Sequence, residues 1–123
     1  MVPFKVDLSK ETVAVTGAGG VLMSAFAKAL AECGAAVGII DLNPDSCERV
    51  AGEIVAAGGR AVAAPANCLS KADIEKAKAV IEDKFGKVTM LINGAGGNNP
   101  RATCDNETMS PETDTEIKNF FKL

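Results

Sequence analysis

Three short stretches carry residues whose types and spacing could do chemistry. The first, Thr16-Gly17-Ala18-Gly19-Gly20-Val21-Leu22-Met23, follows an apolar run and opens onto helical spacing. Glycines at such a junction let the backbone turn sharply and approach an anion, and a pyrophosphate can rest on the N–H groups of the helix that follows. The candidate contacts are Gly17, Gly19, Gly20, Val21 and Leu22. A strict Gly-x-Gly-x-x-Gly pattern fails at Leu22, so the same turn could also be a tight connection that holds nothing. The second stretch is Asp41-Leu42, at the end of the next apolar run. A carboxylate there can accept hydrogen bonds from an adenosine ribose and repels a 2′-phosphate, and neither Ala18 nor Leu42 supplies a cation for one; this favours NAD over NADP. Asp41 could equally just begin the turn into Asn43-Pro44. The third stretch, Asn93-Gly94-Ala95-Gly96, is a second small-residue loop that follows a further apolar run.

The residues that are missing narrow the chemistry further. The chain has no His, Tyr or Trp. Ser-His-Asp and Cys-His catalysis within one chain are thereby excluded, as is any general acid built on tyrosine, so no catalytic residue is assigned. Cys33, Cys47, Cys68 and Cys104 form no Cys-x-x-Cys pair, which argues against a metal site and for reduced thiols. A net charge of -3 argues against nucleic acid as a partner. Ser24, Lys28 and Glu32 interrupt the apolar segments, leaving none long enough to cross a membrane, and the N-terminus has no apolar stretch like that of a secretory signal. The expectation is a soluble, cytoplasmic protein.

The elements that must position these stretches are legible from periodicity. TVAVT (12–16), AVGIID (36–41), RAVAAP (60–65) and VTMLIN (88–93) are continuous apolar runs bounded by turn residues. Such runs fit strands covered on both faces, as in a parallel sheet. Between them lie three helical patterns. In the first, Leu22, Ala25, Phe26, Ala29 and Leu30 form one face, with Gly34 as its stop. The second starts at Asn43-Pro44, turns Val50 and Ile54 to the core and ends at Gly58-Gly59. The third opens with Ser70 and Asp73 at capping-box spacing, carries Ile74, Ala77, Ile81 and Phe85 on one face, and stops at Gly86. The alternation predicts an α/β fold. In a doubly wound sheet the first and fourth strands are neighbours, so the two glycine loops should flank one crevice at the topological switch point.

In order and spacing, "VAVTGAGG", "IIDLN", "PANCLS" and "LINGAGGNNP" resemble the N-terminal half of a short-chain dehydrogenase/reductase. Asn93-Gly94-Ala95-Gly96 is similar to that family's Asn-Asn-Ala-Gly motif with only the first Asn kept. Asn67 matches a position where the family has an Asp that contacts adenine, and Cys68 matches the hydrophobic residue after it. Val21-Leu22 and the NGAGGNNPRAT stretch are most similar to the sugar-acid branch, which includes fructuronate reductases and D-mannonate oxidoreductases. Met23 stands where the family has a glycine, and needs room that would displace the helix start or weaken cofactor binding. The family's catalytic Tyr-x-x-x-Lys has no counterpart here, since the chain contains no tyrosine.

The resemblance implies a three-layer Rossmann fold, N-terminal half, with parallel strand order 3-2-1-4. Residues 1–97 are expected to form an NAD(P)-binding half-domain, and residues 98–123 a loop and the truncated start of the next element. Phe120 and Phe121, set after a long turn-rich stretch, add to the expectation of a sequence cut short. Three functional readings follow: an NAD-dependent oxidoreductase represented by its cofactor half and inactive alone, a non-catalytic nucleotide-binding or assembly module, or an unrelated flavodoxin-like or receiver-like domain. Asp41 and the Asn93–Gly96 loop speak against the third. Arg101 could clamp a substrate carboxylate or simply be solvated. A fourth strand left at the sheet edge would favour a homo-oligomer.

Overall fold

In the computed structural model, which describes residues 3–4 and 6–97, four strands and three helices alternate. They are β1 (Thr12–Thr16), α1 (Val21–Glu32), β2 (Ala36–Ile40), α2 (Pro44–Ala56), β3 (Arg60–Ala63), α3 (Lys71–Phe85) and β4 (Met90–Asn93). The strands form one parallel sheet in the order β3-β2-β1-β4, as expected from the sequence. Its register pairs Thr16 with Ile40 on one side and with Asn93 on the other, so β1, β2 and β4 end side by side.

Both faces of β1 and β2 are covered, which is why these two strands read as unbroken apolar runs: all five residues of each are buried, whereas β4 alternates and leaves Leu91 and Asn93 exposed. Val13, Val15, Val37 and Ile39 point to one face and pack with Ala27 and Ala31 of α1 and Val50 and Ile54 of α2. Ala14 and Ile40 point to the other face and pack with Ala77 and Ile81 of α3. A helix layer therefore lies on each side. Among the described residues no helix is long and apolar enough to cross a membrane.

The local signals for α2 and α3 act as their sequences require. The Asn43 side chain accepts hydrogen bonds from the N–H groups of Asp45 and Ser46 at 3.0 and 3.3 Å, with Pro44 in the first turn. Ser70 accepts from the Asp73 N–H at 3.3 Å. The return bond of a capping box goes elsewhere, because the Asp73 carboxylate accepts from the Asn67 N–H instead.

The face expected for α1 is wrong. Ser24, Ala27 and Ala31 are its buried residues, whereas Leu22 is 67% and Phe26 49% exposed. Small side chains allow the helix to lie close on the sheet, and Ser24 can be buried because its hydroxyl donates to the Val21 carbonyl at 3.0 Å. Leu22, Ala25 and Phe26 of the expected face turn to solvent, while Leu30 stays partly buried against the core.

Candidate functional site

Parallel pairing brings the loops that follow the four strands to one edge of the sheet, and every predicted site residue within the described part lies there. Gly17 makes the first turn with φ +69°, a conformation that side-chain-bearing residues rarely adopt. A Cβ at Gly17 would lie 2.6 Å from the Gly94 carbonyl oxygen and 2.9 Å from the Ala95 nitrogen. The turn after β1 and the loop after β4 are therefore in backbone contact.

Thr16 fastens this joint. Its buried hydroxyl oxygen accepts from the N–H of Gly94 at 3.0 Å and of Ala95 at 3.1 Å. This role for Thr16 is not among those expected from the sequence, where Thr16 is only the first residue of the glycine turn. The available signal was a hydroxyl residue at the last position of a strand, directly before the glycines.

Asp41 begins the turn into α2 and also ties down the glycine turn after β1. Its Oδ1 accepts from the Asn43 N–H at 3.1 Å and begins the turn into α2, while its Oδ2 accepts from the Gly19 N–H at 3.0 Å. An ionised carboxylate has about four acceptor positions, so two protein bonds leave capacity for ligand hydroxyls. Gly19 is pressed against this side chain: a Cβ there would lie 2.9 Å from Asp41 Cγ and 2.6 Å from Ser46 Cβ. Arg49, which sequence reasoning passed over, donates to the Gly19 carbonyl at 3.2 Å and to Glu53 at 3.0 Å. Lys28 also pairs with Glu53, at 2.5 Å. Lys28 first, and Arg49 after it, hold the Glu53 carboxyl below its usual range.

The start of α1 is open. Gly20 is its N-cap, with no side-chain cap and no acidic residue in the first turn, in contrast to α2 and α3. The Gly20 N–H closes the turn by donating to the Gly17 carbonyl at 3.1 Å. Val21 is 95% exposed and Leu22 also faces out, so the first turn meets solvent at the end where helix N–H groups lack intrahelical partners. Unfilled donors and the positive end of the helix dipole suit an anion.

The remaining predicted residues are placed less tightly. Leu42 is exposed beside Asp41. Asn67 is exposed, and its side chain accepts from the Leu69 N–H at 2.9 Å, which occupies that oxygen in its own turn. Cys68 lines a cleft of about 520 Å³ together with Ala14, Thr16, Ile40, Asn93 and Ala95, which joins the loop after β3 to the joint between β1 and β4. Gly96 is exposed beyond Ala95. Arg101 lies outside the described residues. A cleft of about 790 Å³ between the C-terminal ends of α1 and α2 contains none of the predicted site residues. Met23 lies in the first turn of α1, which begins at Val21 directly after Gly20, and its side chain fills the space over Gly94.

The short chain dehydrogenase family model matches residues 11–123. The chain belongs to this family. An oxidoreductase of Haemophilus influenzae is 43% identical over 117 residues, a match that covers 95% of this chain and 41% of the relative. The oxidoreductase UxuB of Bacillus subtilis is 42% identical, with coverage of 100% and 44%. Among solved structures, a protein from Haemophilus influenza provisionally assigned as a D-mannonate oxidoreductase, with bound NAD, superposes with a TM-score of 0.77 at 45% identity. That match covers 85% of this chain and 37% of the other. The chain thus spans about two fifths of the length of these short-chain dehydrogenase relatives.

Proposed function

We propose that the chain provides the NAD-binding half of an oxidoreductase that moves a hydride between nicotinamide and a sugar acid or another secondary alcohol or ketone. The observation that carries this reading is the backbone contact of Gly17 with Gly94 and Ala95 beside the uncapped start of α1. A dinucleotide crevice would run over this helix start, with the Asp41 carboxylate bonded to the turn at Gly19 beside it. Gly17, Gly19, Gly20, Val21 and Leu22 would hold the pyrophosphate, and Asp41 and Leu42 the adenosine ribose. Asn67 and Cys68 would lie toward the adenine, and Asn93, Gly94, Ala95 and Gly96 toward the nicotinamide half. When bound, nicotinamide supplies the hydride acceptor or donor. The protein contributes anion stabilisation and orientation.

NAD is favoured over NADP because Asp41 would repel a 2′-phosphate, while the nearby Arg49 is already engaged by Glu53 and the Gly19 carbonyl. The sugar-acid assignment draws support from the NAD-bound D-mannonate relative. With no Tyr or His in this sequence, proton transfer falls to a group outside residues 1–123, and the chain alone is inactive. Arg101 remains a candidate for a substrate carboxylate. Titration with NAD and NADP, followed by a reduced-nicotinamide absorbance assay with sugar acids, tests the reading. Saturable NAD binding without turnover supports it, and NAD-linked turnover by the chain alone refutes the division of labour.

A non-catalytic nucleotide-binding or assembly module is the second reading. It is favoured by the β4 edge, where Leu91 is 59% exposed. Strand edges with apolar side chains invite pairing, so self-association through β4 is expected. A strictly monomeric sedimentation profile at micromolar concentration would count against it.

A further inference from the structure

Two positions at which the sequence departs from the family pattern, Met23 and Gly94, meet in space. A Cβ built on Gly94 would fall on the Met23 side chain, with Cγ and Sδ in the way and Cε 2.6 Å off. Met23 belongs to the first turn of α1, is partly buried, and packs against the core cluster that contains Val13 and Val15. Gly94 is the first residue beyond β4, and its N–H is held by Thr16. One thioether side chain thus fills the space among the helix start, the end of β1 and the loop after β4. An unbranched, adaptable side chain suits such an irregular gap.

We propose that Met23 is a positioning residue. It sets the distance between the α1 start and the Gly94–Gly96 loop, and hence the width of the crevice, and Gly94 is the partner whose missing side chain makes room for it. The part of this that concerns ligand rests on the NAD-binding reading above. The part that concerns loop spacing does not. Shortening Met23 removes the spacer, and adding a methyl at Gly94 pushes against it, so the two changes perturb one contact from opposite sides.

The test is a cycle of Met23→Ala, Gly94→Ala and the double variant in the full chain, with Met23→Leu as a conservative rescue. NAD affinity is read by calorimetry at a temperature where every variant is folded by circular dichroism. Amide exchange at Ala95 and Gly96 is read without ligand. Each single variant is expected to weaken NAD binding about tenfold, and the double variant by far less than the hundredfold product, as for residues in direct contact. Met23→Leu should stay within about threefold of the parent, and Met23→Ala should speed loop exchange about tenfold. A double variant that shows the full product, or folded single variants with unchanged affinity and unchanged loop exchange, overturns the proposal. Should the unaltered chain not bind NAD at all, the cofactor reading and the ligand part fail together. Loop exchange then decides the spacing claim: faster in Met23→Ala sustains it, unchanged overturns it.

Discussion

Gly17→Ala measures the contact on which the site depends. Two costs arise at this position. The backbone sits at φ +69°, where a residue with a Cβ loses about 1–2 kcal/mol. The new methyl also lands 2.6 Å from the Gly94 carbonyl oxygen and 2.8 Å from its carbon. That backbone is pinned by the two bonds to Thr16 and cannot retreat freely, so overpacking adds about 1–3 kcal/mol. Gly58 provides the control, because it has φ +89° and nothing within 4 Å of a built Cβ. Gly58→Ala should therefore show the backbone cost alone. Measured by urea unfolding, Gly17→Ala is expected to be less stable than Gly58→Ala by about 1–3 kcal/mol, or roughly 5–20 °C in melting temperature for a domain of this size. Any gain from stiffening the unfolded chain is common to both variants and cancels. Equal losses in the two would mean that the β1 turn and the β4 loop do not touch.

Other expectations follow from named contacts. Thr16→Val removes the acceptor for two N–H groups; it should cost about 1–2 kcal/mol in urea unfolding and speed amide exchange at Gly94 and Ala95, while Thr16→Ser should restore both. Asp41→Asn leaves an acceptor for Gly19 but removes the charge, so the ratio of NADP to NAD affinity by calorimetry should rise about tenfold or more; an unchanged ratio would remove Asp41 from cofactor selection. Cys47 is fully buried and its thiol is pushed up from 9.0 to about 11, chiefly by desolvation. A raised pKa of this kind contributes stability that is whole below pH 9 and lost as pH rises toward 11, by about 2–3 kcal/mol. Urea unfolding across that window should show this extra fall relative to Cys47→Ala, and alkylation at neutral pH should label the exposed Cys68 well before Cys47.

β1 and β2 were legible because strands covered on both faces demand continuous apolar runs, and β1 matches its run residue for residue; β4 was read the same way but has one face exposed. The ends of others shifted. The run at 60–65 outlasts β3, yet Ala64 and Ala66 still donate to the Ile39 and Asp41 carbonyls at 2.9 Å, so the chain keeps bonding to the end of β2 after the strand geometry stops. For α1, periodicity identified a stripe but not which stripe was buried. Close packing on a sheet favours Ser24, Ala27 and Ala31 over larger neighbours, and hydrophobicity alone does not reveal that. Within the site, the glycine turn and Asp41 could be read from residue types because phosphate and ribose impose those types. Thr16, Arg49 and the seating of Met23 on Gly94 could not, since each depends on a contact between segments far apart in the chain.

The most direct test is a titration of the isotope-labelled chain with NAD, followed by NMR. Saturable shifts are expected at the amides of Gly17, Gly19, Gly20, Asp41, Gly94 and Ala95, with Gly58 and Gly86 unmoved. An absence of saturable shifts, or shifts confined to the cleft around Cys33 and Gly58, would contradict a dinucleotide crevice at the joint between β1 and β4.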